Sequence, residues 1–353
     1  MRIKHVGLGP PNENGTPPDS VPADAELAPG RSRRHTLQAI LERYAVLGAL
    51  VLVFVLFSVI LPGTFPTHGN LIAMLNQAEV TLFLAIGVTI TLRLGDLDLS
   101  FGATAITSAA LLAELNVNLH WPVYWAIAAA LAFGVAAGAI NALLVVGFRL
   151  NAFVATLGTM TLITGLGYGV VNSNVISGVS PGLSSAVRTS IGGVPVGVTY
   201  GWILAIIVWA VYEFTPFGRY LLFIGGNRNA ARLLGLPVAR VRVIAYLVSG
   251  ALFALGGIIL TGYLGSADPS IGPQYLLAPL AGAFLGTTVV QIGRFNVIGT
   301  VIGLYILVAI STGLELLGAS AWVGDVFNGG ALVGAVGFAR LVQSSREQDA
   351  SLF

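Results

Sequence analysis

The sequence predicts an all-α polytopic membrane protein with about ten transmembrane helices. Three observations lead there. Of 353 residues, 56% are apolar and only 9% are Asp, Glu, Lys or Arg, against about 25% charged in a soluble domain. The apolar residues run in continuous stretches near the ~20 residues that span a bilayer as a helix, and do not alternate as barrel strands do. Glycine contributes 45 residues, and small residues let membrane helices approach closely. This composition excludes an ordinary soluble enzyme. It also excludes disorder, which needs low hydrophobicity and high net charge.

Taken in order, residues 1–38 form a Pro-rich segment holding Pro10, Pro11, Pro17, Pro18, Pro22 and Pro29, expected to be a disordered cytoplasmic tail. It is not a secretory signal, because the first apolar stretch begins near residue 44 and is long enough to span. Ten candidate spans follow at 44–62, 72–94, 101–116, 122–148, 152–172, 200–215, 240–264, 275–292, 295–318 and 321–341. The third and sixth are short. The transmembrane domain is thus placed at 39–343, with 344–353 a second cytoplasmic tail.

The basic residues orient these spans. With the amino terminus inside, Arg2, Lys4, Arg31, Arg33, Arg34, Arg43, Arg93, Arg149, Arg219, Arg228, Arg232, Arg240, Arg242, Arg294, Arg340 and Arg346 are all cytoplasmic. Only Arg188 falls outside, so sixteen of the 17 positive charges share one side. That is a steep positive-inside bias, and it puts both termini in the cytoplasm. Five Gly pairs spaced four apart (Gly134–Gly138, Gly165–Gly169, Gly282–Gly286, Gly299–Gly303, Gly330–Gly334) each cut a groove for a neighbouring helix. The expected neighbour is another helix of the same subunit. No internal repeat is visible.

Much chemistry is excluded. There is no cysteine, so no disulfide or thiolate metal site. The four His residues are scattered at 5, 35, 68 and 120. No cofactor or metal site and no catalytic residue is expected. The phosphate-cradling loop of Walker type needs a lysine, and the single lysine is Lys4. The arginines sit in short loops between spans, which marks membrane orientation and not nucleic-acid binding. Carboxylates at membrane depth are functional by default, but Glu79, Glu114, Glu213, Glu315 and Asp325 mostly fall near span ends, with no basic partner within a span. That is a thin pattern for ion-coupled transport.

Three segments carry the remaining signal. The first is Arg93-Leu94-Gly95-Asp96-Leu97-Asp98-Leu99-Ser100-Phe101-Gly102. Asp98 or Ser100 can cap the third span, where carboxylates suit the helix dipole. Equally, Asp96, Asp98 and Ser100 can belong to a broken helix lining a translocation path. The second is the fifth span, with Asn151, Thr156, Thr159, Thr161, Thr164 and Asn172. Thr156, Thr159 and Asn172 either line a polar path or, for the threonines, bond back to the preceding turn. The third is the loop at 216–242. Asn227 is a good cap, 228–234 can form two helical turns, and Gly235 with Pro237 ends them. Ala230, Ala231, Leu233 and Leu234 give this short helix an apolar face with no core of its own, which asks for a partner or for the lipid interface.

These segments resemble a known family. Gly95–Gly102 resembles the G-G-I-D-L-S-V-G segment of sugar-importer permeases. Asn151–Met160 is similar to their P-F-I-A-T-L-G-T-M. Gly218–Leu236 is similar to their G-R-x-x-x-A-I-G-G-N-x-x-A-A-R-x-x-G-I. The family is the ribose/xylose-type permeases of ATP-driven ABC importers, and the likeness covers about residues 40–340. Asp96, Asn151 and Gln291-Ile292-Gly293-Arg294 depart from its pattern. The resemblance implies the ABC-importer permease fold and a prokaryotic inner-membrane location. It implies four partners: cytoplasmic ATP-binding subunits, a second permease copy or paralogue, an extracytoplasmic sugar-binding protein, and the lipid bilayer. ATP hydrolysis would lie on the separate chain, which fits the missing Walker lysine. Coupling to it is implied at Gly225, Gly226, Asn227, Arg228, Ala230, Ala231, Arg232, Leu233, Gly235 and Leu236. A monosaccharide or polyol is the implied substrate; the alternatives are branched-chain amino acids or nucleosides, or an ion-coupled secondary transporter.

Overall fold

The computed structural model describes residues 47–350; the expected Pro-rich tail and Arg43 lie outside the described residues. The described residues are mostly helical. Helix α1 is described over Leu47–Ile60. Then come α2 (His68–Arg93), α3 (Phe101–Ala113), α4 (Val123–Ala142), α5 (Ala152–Val170), α6 (Pro181–Arg188) and α7 (Val196–Phe214). The series closes with α8 (Pro216–Gly226), α9 (Arg228–Leu233), α10 (Val238–Leu264), α11 (Gln274–Gly286), α12 (Val297–Leu316) and α13 (Ala321–Ala350). Helices α3 and α4 each continue into a π turn, at Glu114–Asn118 and Leu143–Gly147. Two antiparallel two-residue pairs, Ile176–Ser177 with Ser266–Ala267 and Ser190–Ile191 with Val194–Pro195, trim one end of the bundle.

Ten of these helices overlap the ten apolar stretches. Among the described residues, six (α2, α4 with its π turn, α5, α7, α10 and α12) are long and apolar enough to cross a bilayer. Three boundaries differ from those expected. The sixth span starts earlier, at Val196. The eighth stops at Gly286, not at residue 292. It carries Pro279 internally, and the chain from Thr287 to Asn296 is irregular, its carbonyls tied down by Asn296, which donates to Gly286 O (3.0 Å) and Val289 O (3.1 Å). Helix α13 runs through the expected 343/344 boundary to Ala350.

Burial sorts the helices into inner and outer. In α2, α10 and α12 two-thirds of the apolar window is buried by other helices; in α5 and α7 it is a third or less. A helix apolar all round belongs inside or in lipid, and here both situations occur. Phe83, Leu84, Phe101 and Phe253 lock α2, α3 and α10 together, with Phe101 and Phe253 ring centroids 5.8 Å apart. Leu82, Ile86, Tyr212, Leu221, Ile224 and Leu304 form a second cluster linking α2 to α7, α8 and α12.

Lipid tails are as apolar as leucine, so close packing, not water exclusion, decides which helices touch. Three of the five Gly pairs do this within the subunit. Gly134 and Gly138 of α4 press against the backbone of Gly250 and Tyr246 in α10. Gly282 and Gly286 of α11 meet Gly299, Thr300 and Leu304 of α12, and Gly299 and Gly303 return the contact. The other two pairs, Gly165–Gly169 and Gly330–Gly334, face open space with nothing within 4 Å, so the expected intrasubunit partner is absent there among the described residues.

This contrast gives a sign-opposed test. Alanine at Gly138 puts a methyl group into the Tyr246 carbonyl, and overpacking should lower stability by about 1–3 kcal/mol. Alanine at Gly165 meets nothing within 4 Å and gains helix propensity, worth up to about 1 kcal/mol. Thermal midpoints in detergent should therefore move in opposite directions; equal midpoints would refute the α4–α10 contact.

Candidate functional site

The break between α2 and α3 organises the site. Helix α2 ends in a Schellman turn. Gly95 takes the left-handed conformation (φ 74°), its N–H donates to Leu92 O (2.9 Å), and the Asp96 N–H donates to Thr91 O (3.0 Å). The turn carries the Asp96 side chain into the protein, where Asp96 is only 1% exposed. Its carboxylate is ion-paired to Arg228 of α9 and accepts two bonds from Arg242 of α10, from Nε at 2.9 Å and Nη2 at 3.1 Å. Such forked pairing is among the stronger polar contacts a side chain makes. Arg228 also donates to Leu94 O (3.1 Å), closing off the carbonyl end of α2.

Two residues further on, the chain faces the opposite way. Asp98, equally buried, accepts from the Ser100 amide (2.9 Å) and the Ser100 hydroxyl (2.7 Å). The expected cap of the third span therefore takes another form: neither the Asp98 nor the Ser100 side chain receives an amide from within α3, whose first bond runs from the Thr104 amide to Ser100 O (2.8 Å). Asn141 of α4 donates to Ser100 Oγ (2.8 Å) and accepts from Thr159 of α5 (2.7 Å). Thr156 accepts from the Leu99 amide (3.1 Å) while donating back to Ala152 O (2.8 Å). Thr156 thus bonds back to the preceding turn and, fully buried, also holds the connection between α2 and α3. Asn172 does not join; it is exposed at the far end of α5 with φ 49°.

A cavity of about 300 Å³ opens beside this network between α3 and α5, lined by Ala103, Thr107, Met160, Thr161, Thr164 and Tyr168 among others. Thr107 bridges the two helices by donating to Ile163 O (2.9 Å). At the arginine-bearing end a second cavity, about 1030 Å³, is lined by Arg93, Gly225, Gly226, Asn227, Ala230, Leu234 and Arg294 among others. Arg93 is held beside it, its guanidinium 4.3 Å from the Tyr212 ring centre and donating to Phe295 O (3.1 Å). Among the described residues no cluster of His, Asp or Glu could hold a metal ion.

The short helix forms where the sequence places it, as Arg228–Leu233. Asn227 accepts from the Asn229 and Ala230 amides (3.0 Å each). Gly235 (φ 75°) ends it, with Leu236 N donating to Ala231 O (3.1 Å). Its apolar residues divide differently from expectation. Ala231 is buried (2% exposed) and faces the bundle, whereas Leu233 is 90% and Leu234 73% exposed. Ala230, Arg232 and Gly235 face outward with them, Leu236 is half-buried, and Gly225 and Gly226 end α8 just before Asn227. Gly225 lies against the Arg93 carbonyl, where a side chain would collide.

Known proteins resolve the family. A family model described as branched-chain amino acid transport system / permease component matches residues 70–336. The chain belongs to this family of transport-system permeases. It is 35% identical over 295 residues to the ribose import permease protein of Escherichia coli strain K12, covering 82% of this chain and 91% of that one. The ribose import permease protein of Bacillus subtilis strain 168 is 35% identical over 285 residues, 80% of this chain and 88% of that one. The D-allose transport system permease protein of Escherichia coli strain K12 is 29% identical over 301 residues, 85% and 92% of the two chains. No solved structure matches significantly. The permease is a multi-pass helical membrane protein.

Two partners in this site were not legible in the permease's sequence. Arg242 lies 146 residues from Asp96 and looks like one more loop arginine. Asn141 carries only a general signal: it is a lone amide inside the otherwise apolar Val123–Ala142, and such residues in a span usually bond across helices, but its partners are not readable from the sequence.

Asp98 makes two bonds to Ser100, and the described residues offer it no basic partner. Asp98→Asn keeps an acceptor oxygen for both, so the permease should stay folded with an unchanged or higher thermal midpoint. Asp98→Ala strands a buried amide and should cost about 1–3 kcal/mol. Equal destabilisation by both would mean that the charge itself, and not the acceptor, holds α3.

Proposed function

We propose that this chain is the membrane-spanning permease subunit of an ATP-driven ABC importer, moving a monosaccharide or related polyol across a prokaryotic inner membrane. The observation that carries this is the likeness to two ribose permeases and an allose permease along four-fifths of the chain, set beside a short capped helix whose outward leucines have no partner among the described residues. An extracytoplasmic binding protein delivers the substrate. Hydrolysis occurs on a separate chain, against which α9 docks through Ala230, Leu233, Leu234 and the flanking Arg232. Two permease copies, or this one and a paralogue, complete the membrane unit. The α3–α5 cavity is the best candidate for the path: its ~300 Å³ suits a small ligand, and its exposed hydroxyls at Thr161 and Thr164 offer polar contacts in an apolar wall. Asp98, Ser100, Thr156 and Thr159 support that wall from behind, and Asn172 stands at its outer end.

The rival substrate class is branched-chain amino acids, which the description of the matching family model names. Proteoliposomes holding this permease with its ATPase chain separate the two. With loaded binding protein present, ribose, allose or galactose should stimulate ATP hydrolysis and enter the lumen, and leucine should not; the reverse would transfer the permease to the other class. In the same preparation Ala230→Glu should leave the permease inserted but release the ATPase chain, because it adds bulk and charge at the exposed face. A full complement of ATPase on Ala230→Glu, at normal activity, would place the docking surface elsewhere.

The ten-span topology with both termini cytoplasmic rests on the segregation of the arginines. Ser270 and Asn229 are exposed at opposite ends of α10. With no native cysteine, Ser270→Cys should react with an impermeant maleimide added outside intact cells, and Asn229→Cys only after lysis. The opposite pattern would overturn the orientation.

A further inference from the structure

We infer that Asp96 is the positioning residue through which movement of α9 reaches the substrate path, acting as an ion-pair link between the ATPase-docking helix and the start of α3. This rests on the reading that α9 docks the ATPase, and deepens it. In the sequence it looked like a path residue; in the structure it points at arginines and away from the α3–α5 cavity.

The geometry has three parts. First, α9 is tied to the end of α2 at two points. Gly225 stands flush against the Arg93 carbonyl, and Arg228, the first residue of α9, bonds both Leu94 O and the Asp96 carboxylate. Second, the same carboxylate holds Arg242 at the start of α10. Asp96 therefore pins α9 to two of the most buried helices in the bundle. Third, Asp96 lies two residues from Asp98 in a stretch without helix. The amide of Leu99 is held by Thr156, and Ser100 is held by Asp98 and Asn141, which in turn holds Thr159. Force on Arg228 thus passes along a short non-helical segment into α4 and into the wall of the α3–α5 cavity.

Charge makes the link specific. Two guanidinium groups converge on one buried carboxylate, and among the described residues no second carboxylate bonds either of them. Without Asp96 they would repel each other. Arg242 has only 9% of its side chain exposed and is confined, whereas Arg228 has 35% exposed and can swing out. Neutralising Asp96 should therefore free the start of α9 from α2 while leaving its outward face, Ala230, Leu233 and Leu234, intact for docking.

The test compares wild type, Asp96→Asn, Asp96→Glu and Arg228→Gln in proteoliposomes with the ATPase chain and sugar-loaded binding protein. Three quantities are read: ATPase co-purified, ATP hydrolysed, and sugar transported. For Asp96→Asn we expect a normal complement of ATPase but about a tenfold rise in ATP hydrolysed per sugar. Arg228→Gln should do the same, the double variant should be no worse than either single one, and Asp96→Glu should restore part of the ratio. A merely structural role would lower the amount of folded protein without changing the ratio. A wild-type ratio in Asp96→Asn overturns the inference. If Asp96→Asn fails to accumulate in the membrane, Arg228→Gln at its partly exposed position decides, and a wild-type ratio there overturns the inference equally. Failure of the docking reading shows separately, as retention of the ATPase chain by Ala230→Glu.

Discussion

A helix that ends inside a membrane protein must dispose of its last carbonyl groups without water, since each one left unbonded in a dry setting costs several kcal/mol. The end of α2 meets that constraint with its own backbone and one borrowed side chain. The Gly95 and Asp96 amides take the Leu92 and Thr91 carbonyls, and Arg228 takes Leu94. Borrowing Arg228 has two consequences. It brings α9 against α2, and it places a cation where Asp96 can meet it. The same turn that solves a backbone problem therefore creates the contact between the peripheral helix and the bundle. Only a residue tolerant of φ 74° can make that turn without strain, and glycine stands there.

From that turn the non-helical stretch to Ser100 crosses the protein interior, and its own polar groups need partners too. Two come from side chains on neighbouring helices, Thr156 of α5 for the Leu99 amide and Asn141 of α4 for the Ser100 hydroxyl, and Asp98 of the stretch itself takes the Ser100 amide. Non-helical backbone at depth is tolerated where protein buries it or a cavity adjoins it, and both are true here. A segment held by α4 and α5 cannot move independently of them. That is why a displacement at the arginine-bearing end has a physical route to the α3–α5 cavity, with the rigid α3–α5 bridge from Thr107 to Ile163 O carrying it further.

What the sequence made legible, and what it did not, divides along the same line. Local signals read well. The apolar stretches coincide with helices, and Asn227 and Gly235 bound α9 as their chemistry dictates. Long-range pairings read poorly. Asp96 reads as a path residue because a carboxylate between two spans is suggestive in isolation; its partners lie 132 and 146 residues away. Ala231 was grouped with Ala230, Leu233 and Leu234 by composition, but a two-turn helix lying on a surface must turn one side inward, and its buried contact fixes which. The eighth span reads as longer than it is because apolar residues continue beyond Gly286, whereas the backbone there is governed by Asn296, an amide whose reach no periodicity shows.

The imbalance of sixteen arginines to one lysine acquires a structural meaning beyond membrane orientation, for which lysine would serve as well. Arginines at this end and beyond it reach backbone carbonyls and rings as well as acids. Arg93 lies over Tyr212 and bonds Phe295 O, Arg228 bonds Leu94 O along with Asp96, and Arg188 at the opposite end bonds Tyr263 O. A planar guanidinium with several fixed donors can do two of these things at once, whereas an ammonium is a compact point charge that gives up its hydration reluctantly. Among the described residues only Arg228 and Arg242 pair with a carboxylate, whereas Arg93, Arg188 and Arg228 bond carbonyls. Arginine is the side chain that can hold a positive charge at the membrane boundary and, with the same group, close the open ends of helices.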